Sequence, residues 1–135
     1  RGYMGMICEA VTALALAIYY EGRNQSVDGQ RAIAEVVLNR VVDPRFPDTI
    51  CGVLSEDRGP KAHDCQFSYM CDGLPESPRD RTAYDTALRV AESAVRGDVL
   101  GHGANHYHAT YVKPSWASHL TRVGQIGDHV FYIWD

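Results

Sequence analysis

A carboxylate closes an apolar segment near the N-terminus, Ala13-Leu14-Ala15-Leu16-Ala17-Ile18-Tyr19-Tyr20-Glu21-Gly22. Glu is favoured in the first turn of a helix and disfavoured in the last, where the dipole is negative. Helix-end carbonyls and an apolar setting both oppose ionisation, so Glu21 is expected to hold its proton to a higher pH than an ordinary Glu. A carboxylic acid that stays protonated near neutral pH can act as general acid towards a glycosidic oxygen. Taken alone, the local sequence favours a plainer alternative: an exposed Glu in a frayed last turn, paired with Arg23. The case for chemistry rests on other residues.

Two further segments carry candidate groups. In Cys65-Gln66-Phe67-Ser68-Tyr69-Met70-Cys71-Asp72, amide, hydroxyl and carboxylate groups flank two aromatic rings. Such a mixture can hydrogen-bond and stack on a sugar ring. It fits equally a loop whose aromatics cover the core. In Asn105-His106-Tyr107-His108, strand alternation puts His106 and His108 on one face and Tyr107 on the other. Tyr111 and Trp116 follow. Two same-face histidines raise a metal site, but no third ligand at a recognisable spacing and no H-E-x-x-H accompany them. Structural or substrate-bonding histidines are the preferred reading, and no metal or cofactor is implied. There is no G-x-S-x-G nucleophile elbow, and Gly97-Asp98-Val99-Leu100-Gly101-His102-Gly103 lacks the P-loop spacing. Glu35 sits mid-helix and is assigned to Asn39 or Arg31 as an i±4 partner.

The elements that must position these groups are legible from periodicity. Ile7, Val11, Leu14 and Ile18 form one stripe, which predicts a helix over 4–21 with Gly22 as its stop. Ser26 caps a second helix running to about Val42, with Ile33, Val36, Val37 and Val41 inward. Pro47 starts a short helix to Leu54. An irregular stretch follows, from Ser55 to Pro78. Ser77-Pro78 then opens a long helix closed by Gly97. The last third alternates in aromatic runs, with Gly127-Asp128 as a two-residue hairpin turn. The expected class is α+β, a helical half carrying a three-stranded antiparallel sheet.

Bulk properties fit one domain with one core over residues 1–135. The chain has 135 residues, 45% of them hydrophobic, and a net charge of −4 from 13 basic and 17 acidic side chains. That balance argues against a nucleic-acid binder, and no window approaches the roughly 20 apolar residues of a membrane span. The chain begins with Arg1, and is expected to be a fragment lacking an N-terminal segment. Its four cysteines, Cys8, Cys51, Cys65 and Cys71, suit disulfides in an oxidising compartment. Two bridges allow three pairings, and spacing does not choose among them.

Together these blocks resemble the SleB-type cell-wall hydrolases, which include the spore-cortex-lytic enzymes. The resemblance runs from about Ala13 to Tyr132. Its landmarks, in order, are AIYYEGRNQSVDGQRAIAEVVLNRV, FPDTICGVL, CQFSYMCDG, GANHYHATYVKPSWA and IGDHVFY. It implies a lysozyme-like fold, akin to lytic transglycosylases, and cleavage of peptidoglycan between N-acetylmuramic acid and N-acetylglucosamine. The family's essential glutamate falls on Glu21. Gln66, Phe67, Ser68, Tyr69 and Asp72 fall on a loop lining the cleft, and Tyr107, His108 and Trp116 on its other wall. Where the family usually has a second acid, this chain has Gln25, and Cys8 is off the family's cysteine position.

With Glu21 as the one strong candidate for the acid, a lytic transglycosylase giving 1,6-anhydro ends is favoured. Hydrolysis would need a second carboxylate, with Asp72 and Asp28 as candidates, at about 5 Å or about 6.5–9.5 Å from the first. A non-catalytic glycan-binding module is the rival from another class. The expected partner is the peptidoglycan glycan strand, bound by a monomer. The expected setting is the periplasm, cell surface or spore, or delivery by a phage.

Overall fold

The computed structural model describes residues 8–56 and 78–135. Helix α1 spans Ala10–Gly22, and the Glu9 carboxylate caps it by accepting the Val11 and Thr12 N–H groups. The expected start at residue 4 is therefore corrected. Glu9 is extended and capping, and residues 1–7 lie outside the described part. Leu14, Ala15, Ala17 and Ile18 are wholly buried, so α1 is a core helix more than an amphipathic surface one.

Helix α2 spans Val27–Val41, capped as expected by Ser26, whose Oγ accepts the Gly29 N–H. Two starts differ from the sequence reading. Helix α3 covers Ile50–Ser55, with Thr49 and not Pro47 at its head; Thr49 Oγ1 accepts the Gly52 N–H. Helix α4 covers Arg81–Val95, with Asp80 accepting the Ala83 N–H. In both, a side-chain acceptor close to the first turn outcompetes the more distant proline signal. Gly97 does end α4: it takes φ +101° while the Gly97 and Asp98 N–H groups bond back to Ala94 and Ser93.

The sheet has strands β1 (His106–Ala109), β3 (His129–Ile133) and β2 (Thr121–Ile126), side by side in that order and antiparallel. The β2–β3 turn is Gly127-Asp128, as expected, with Gly127 at φ +58°. A short 3-10 turn over Ser115–His119 precedes β2. Strand β1 is shorter than the alternation suggested, because the Val112 N–H bonds back to the Ala109 carbonyl and the chain turns there.

Two apolar clusters form the core. One joins α1 to α4 through Leu14, Ile18, Val37 and Leu54; the other packs Ile33 and Val36 of α2 against Phe131 of the sheet. Tyr107 touches both. A Cys8–Cys51 disulfide ties the approach to α1 to α3. Closing a loop of 43 residues removes about 4 kcal/mol of unfolded-chain entropy on the polymer account. Cys65 and Cys71 lie outside the described residues. Among the described residues, no helix is long and apolar enough to cross a membrane.

Candidate active site

Glu21 occupies the last turn of α1, next to the helix's free carbonyls. The helix stays right-handed through Arg23, at φ −61°. Gly22 thus serves packing and not a left-handed stop. A Cβ there would press to 2.6 Å from Ile33 Cδ1, so a larger residue would require the Ile33 side chain to shift.

The Glu21 carboxyl meets Tyr107. The Tyr107 hydroxyl donates to Glu21 Oε1 at 2.7 Å. Burial raises the Glu21 pKa above its ordinary value, and the Tyr107 hydrogen bond pulls the other way. Burial is the larger effect, so the proton is held to higher pH. Arg23, the alternative partner, is taken up elsewhere: its Nη1 donates to the Tyr19 hydroxyl at 2.5 Å.

Tyr107 is itself fixed by the sheet. It sits opposite Phe131 in the β1–β3 register, with ring centroids 5.8 Å apart and planes 29° from parallel. His129, opposite Ala109, meets the Tyr107 ring edge-on at 5.3 Å. Glu21 then borders a groove of about 370 Å³, whose walls include Arg23, Gln25, Tyr111, Asp128 and His129. Tyr111 is 85% exposed on that wall.

A side-chain clip joins the two walls. Gln25 Nε2 donates to Asp128 Oδ2 and Gln25 Oε1 accepts the Asp128 N–H, each at 3.0 Å. A Cβ at Gly127 would run into Gln25 Oε1. The hairpin tip is thereby held against the turn that follows Glu21.

The remaining expected site residues are distributed differently. Tyr107 comes to Glu21. His108 and Trp116 lie on the opposite face of the sheet, as strand alternation requires once Tyr107 points inward. There His108 Nε2 and the Tyr132 hydroxyl are 2.9 Å apart, and Trp116 packs edge-on against His106, His108 and Tyr132. Gln66, Phe67, Ser68, Tyr69 and Asp72 lie outside the described residues. Asp28 pairs with Arg31 on the exposed side of α2 and does not line the groove.

Glu35 is a correction. It bonds neither Asn39 nor Arg31; its two oxygens accept the Gly101 and Gly103 N–H groups at 2.8 and 3.0 Å. Asn39 instead donates to the Ala104 carbonyl. Both glycines take positive φ, 80° and 73°, which turns their N–H groups inward. His102 Nδ1 stands 3.5 Å from Glu35 but accepts the Ala104 N–H, so that contact is no ion pair.

Asp128, expected only as a turn residue, and His129 are groove residues that sequence reasoning missed. The turn at Gly127-Asp128 pairs His129 only with Ile126 of β2; the β1–β3 register that sets His129 opposite Ala109, two residues past Tyr107, is a long-range pairing with no local signal.

Comparison with known proteins agrees with this architecture. A family model described as Cell Wall Hydrolase matches residues 24–132, beginning three residues after Glu21. The chain is 30% identical over 123 residues to a spore cortex-lytic enzyme of Oceanobacillus iheyensis, covering 90% of this chain and 40% of that protein. It is 33% identical over 122 residues to the spore cortex-lytic enzyme of Halalkalibacterium halodurans, covering 90% and 34%. The chain thus spans well under half the length of these curated relatives. Among solved structures, it is similar to the catalytic domain of the germination-specific lytic transglycosylase SleB from Bacillus anthracis. The TM-score is 0.71 at 27% identity, over 95% of this chain and 97% of that one. The helical half with its small antiparallel sheet is the lysozyme-like arrangement that the sequence blocks led one to expect.

Proposed function

This chain belongs to the cell wall hydrolase family, and from that premise we propose that it cleaves the β-1,4 bond between N-acetylmuramic acid and N-acetylglucosamine in peptidoglycan, with Glu21 as the catalytic acid. The observation that carries the reading is the Glu21 carboxyl itself. Burial favours its protonated form, the Tyr107 hydroxyl donates to it, and it borders a groove.

The reaction proceeds in two proton transfers. Glu21 gives its proton to the bridging oxygen as the C1–O bond breaks. The resulting carboxylate then takes the proton of the muramyl C6 hydroxyl, whose oxygen closes onto C1. The product is a 1,6-anhydro sugar, no water is consumed, and Glu21 ends protonated as it began. The Bacillus anthracis domain bears the name lytic transglycosylase, which supports this course. A second reading has one observation in its favour: Asp128 places another carboxylate in the wall of the same groove. Two carboxylates suit hydrolysis, although Asp128 is engaged by Gln25.

The glycan strand is the proposed partner, with Gln66, Phe67, Ser68, Tyr69, Asp72, His108 and Trp116 as further candidate contacts. The proposed setting lies outside the cytoplasm, and the Cys8–Cys51 bridge suits an oxidising compartment. Digestion of purified sacculi followed by mass spectrometry of the released muropeptides tests bond and mechanism together. Anhydro ends, lighter by one water than reducing ends, are expected. Reducing ends would establish the hydrolytic course, and intact sacculi would overturn the proposal.

A further inference from the structure

His129 is 7% exposed, yet it borders the groove beside Glu21. Its Nδ1 is buried without a hydrogen-bond partner. The ring packs against Tyr107 on one side, and strand β3 fixes its backbone opposite Ala109. Nε2 is not among the buried atoms without a partner, which leaves it as the ring nitrogen able to meet a ligand in the groove.

The tautomer follows from the same geometry. A proton on Nδ1 would strand a buried N–H donor, which native proteins almost never do; a bare lone pair there costs less. A neutral ring carries one N–H, so that N–H sits on Nε2 and faces the groove. Burial keeps the ring neutral by holding its pKa below the ordinary histidine value, against the pull of Asp128. Beside an acid that must stay protonated, an uncharged donor also avoids lowering the pKa of Glu21.

A donor with no accessible lone pair complements a group that only accepts. Sugar hydroxyls both donate and accept. On an N-acetylated glycan, the ring, bridging and lactyl ether oxygens also only accept, but they are weak acceptors; the strong uncharged acceptor that carries no hydrogen of its own is the acetamido carbonyl oxygen. Building on the glycan-cleaving role proposed above, we propose that His129 is a substrate-contacting residue whose Nε2–H donates to the acetamido carbonyl of the sugar bound beside Glu21. This makes His129 a determinant of preference for N-acetylated over de-N-acetylated strands.

The test compares kcat/KM on N-acetylated and de-N-acetylated peptidoglycan for the wild type, His129→Phe and His129→Gln. Comparing that ratio between wild type and variant cancels the effect of the new amine charge common to both enzymes. Loss of one neutral hydrogen bond predicts about a tenfold fall in that ratio for His129→Phe, with partial recovery in His129→Gln, which keeps a donor. A ratio unchanged in His129→Phe overturns the inference. A second measurement needs no change at His129. In Glu21→Gln protein, imidazole nitrogen NMR should report the Nε2–H form and a shift of that resonance on adding an N-acetylglucosamine–N-acetylmuramic acid tetrasaccharide. A proton on Nδ1, or a resonance unmoved at saturation, also overturns it. A wild type that leaves sacculi intact counts against the glycan-cleaving role instead, and the nitrogen spectrum still decides the donor.

Discussion

The Tyr107 hydroxyl and the Glu21 carboxyl, 86 positions apart in sequence, meet at 2.7 Å where the sheet is packed against the end of α1. Two opposed influences act on one proton there. Burial raises the Glu21 pKa, and the phenol hydrogen bond, which stabilises the carboxylate, lowers it. Removing the phenol hydroxyl leaves burial unopposed. Tyr107→Phe should therefore move the alkaline limb of the kcat profile to higher pH, since Glu21 must be protonated to act. Its plateau should fall by about tenfold through loss of carboxyl orientation. A pH–rate profile checks both, and an alkaline limb that stays in place would show that Glu21 does not set it.

Glu21→Gln tests the acid and its energetics separately. Cleavage should drop by about 10²–10⁴-fold, the usual contribution of a general acid. Stability should change with a definite sign. The folded pKa of Glu21 lies above its unfolded value of 4.5. Its contribution is therefore intact below pH 4.5 and is lost as pH rises through the folded pKa. Gln carries no such loss and still accepts the Tyr107 hydrogen bond. Melting temperatures of the two proteins should coincide near pH 4 and diverge by pH 8, with the variant higher. A variant that melts lower at pH 8 would refute the burial argument.

How much of this was legible in the sequence depended on range. Glu21 stood out because an acid at a helix C-terminus breaks a local rule, and such breaks mark functional positions. The hairpin at Gly127-Asp128 and the Ser26 and Gly97 boundaries are likewise local chemistry, and all three are found. The starts of α1, α3 and α4 were displaced because Glu9, Thr49 and Asp80 each supply an acceptor nearer the first turn. The groove's other wall was not legible. Which face of β1 meets α1 is settled by Phe131 and Ile33, far apart in the chain. That choice brings Tyr107 in and turns His108 and Trp116 away.

Glu35 gives a prediction opposite in character to Glu21. It is 3% exposed, outside the groove, and satisfies two N–H groups of the turn that leads into β1. Glu35→Ala leaves both donors without an acceptor. The cost should be about 3 kcal/mol, or a fall in melting temperature of roughly 10 °C. Glu35→Gln keeps one acceptor and should lose less. At a temperature where both variants are folded, kcat should match the wild type. A loss of kcat with no loss of stability would move Glu35 into the chemistry.

The Gln25–Asp128 clip depends on one amide giving a hydrogen bond and receiving another. Gln25→Ala removes both bonds and should cost about 1 kcal/mol at pH 7, since both groups are solvent-accessible. Gln25→Glu keeps the acceptor, loses the donor and sets two carboxylates side by side. Their repulsion raises the folded pKa of one of them, so the penalty should be full near neutral pH and fade as pH falls below about 4. Added salt should reduce it at pH 7 and leave the alanine variant unaffected. Urea unfolding of both variants at pH 7 and pH 4, with and without salt, separates these behaviours. A Gln25→Glu penalty that ignores both pH and salt would mean that the hairpin tip is held by backbone geometry alone.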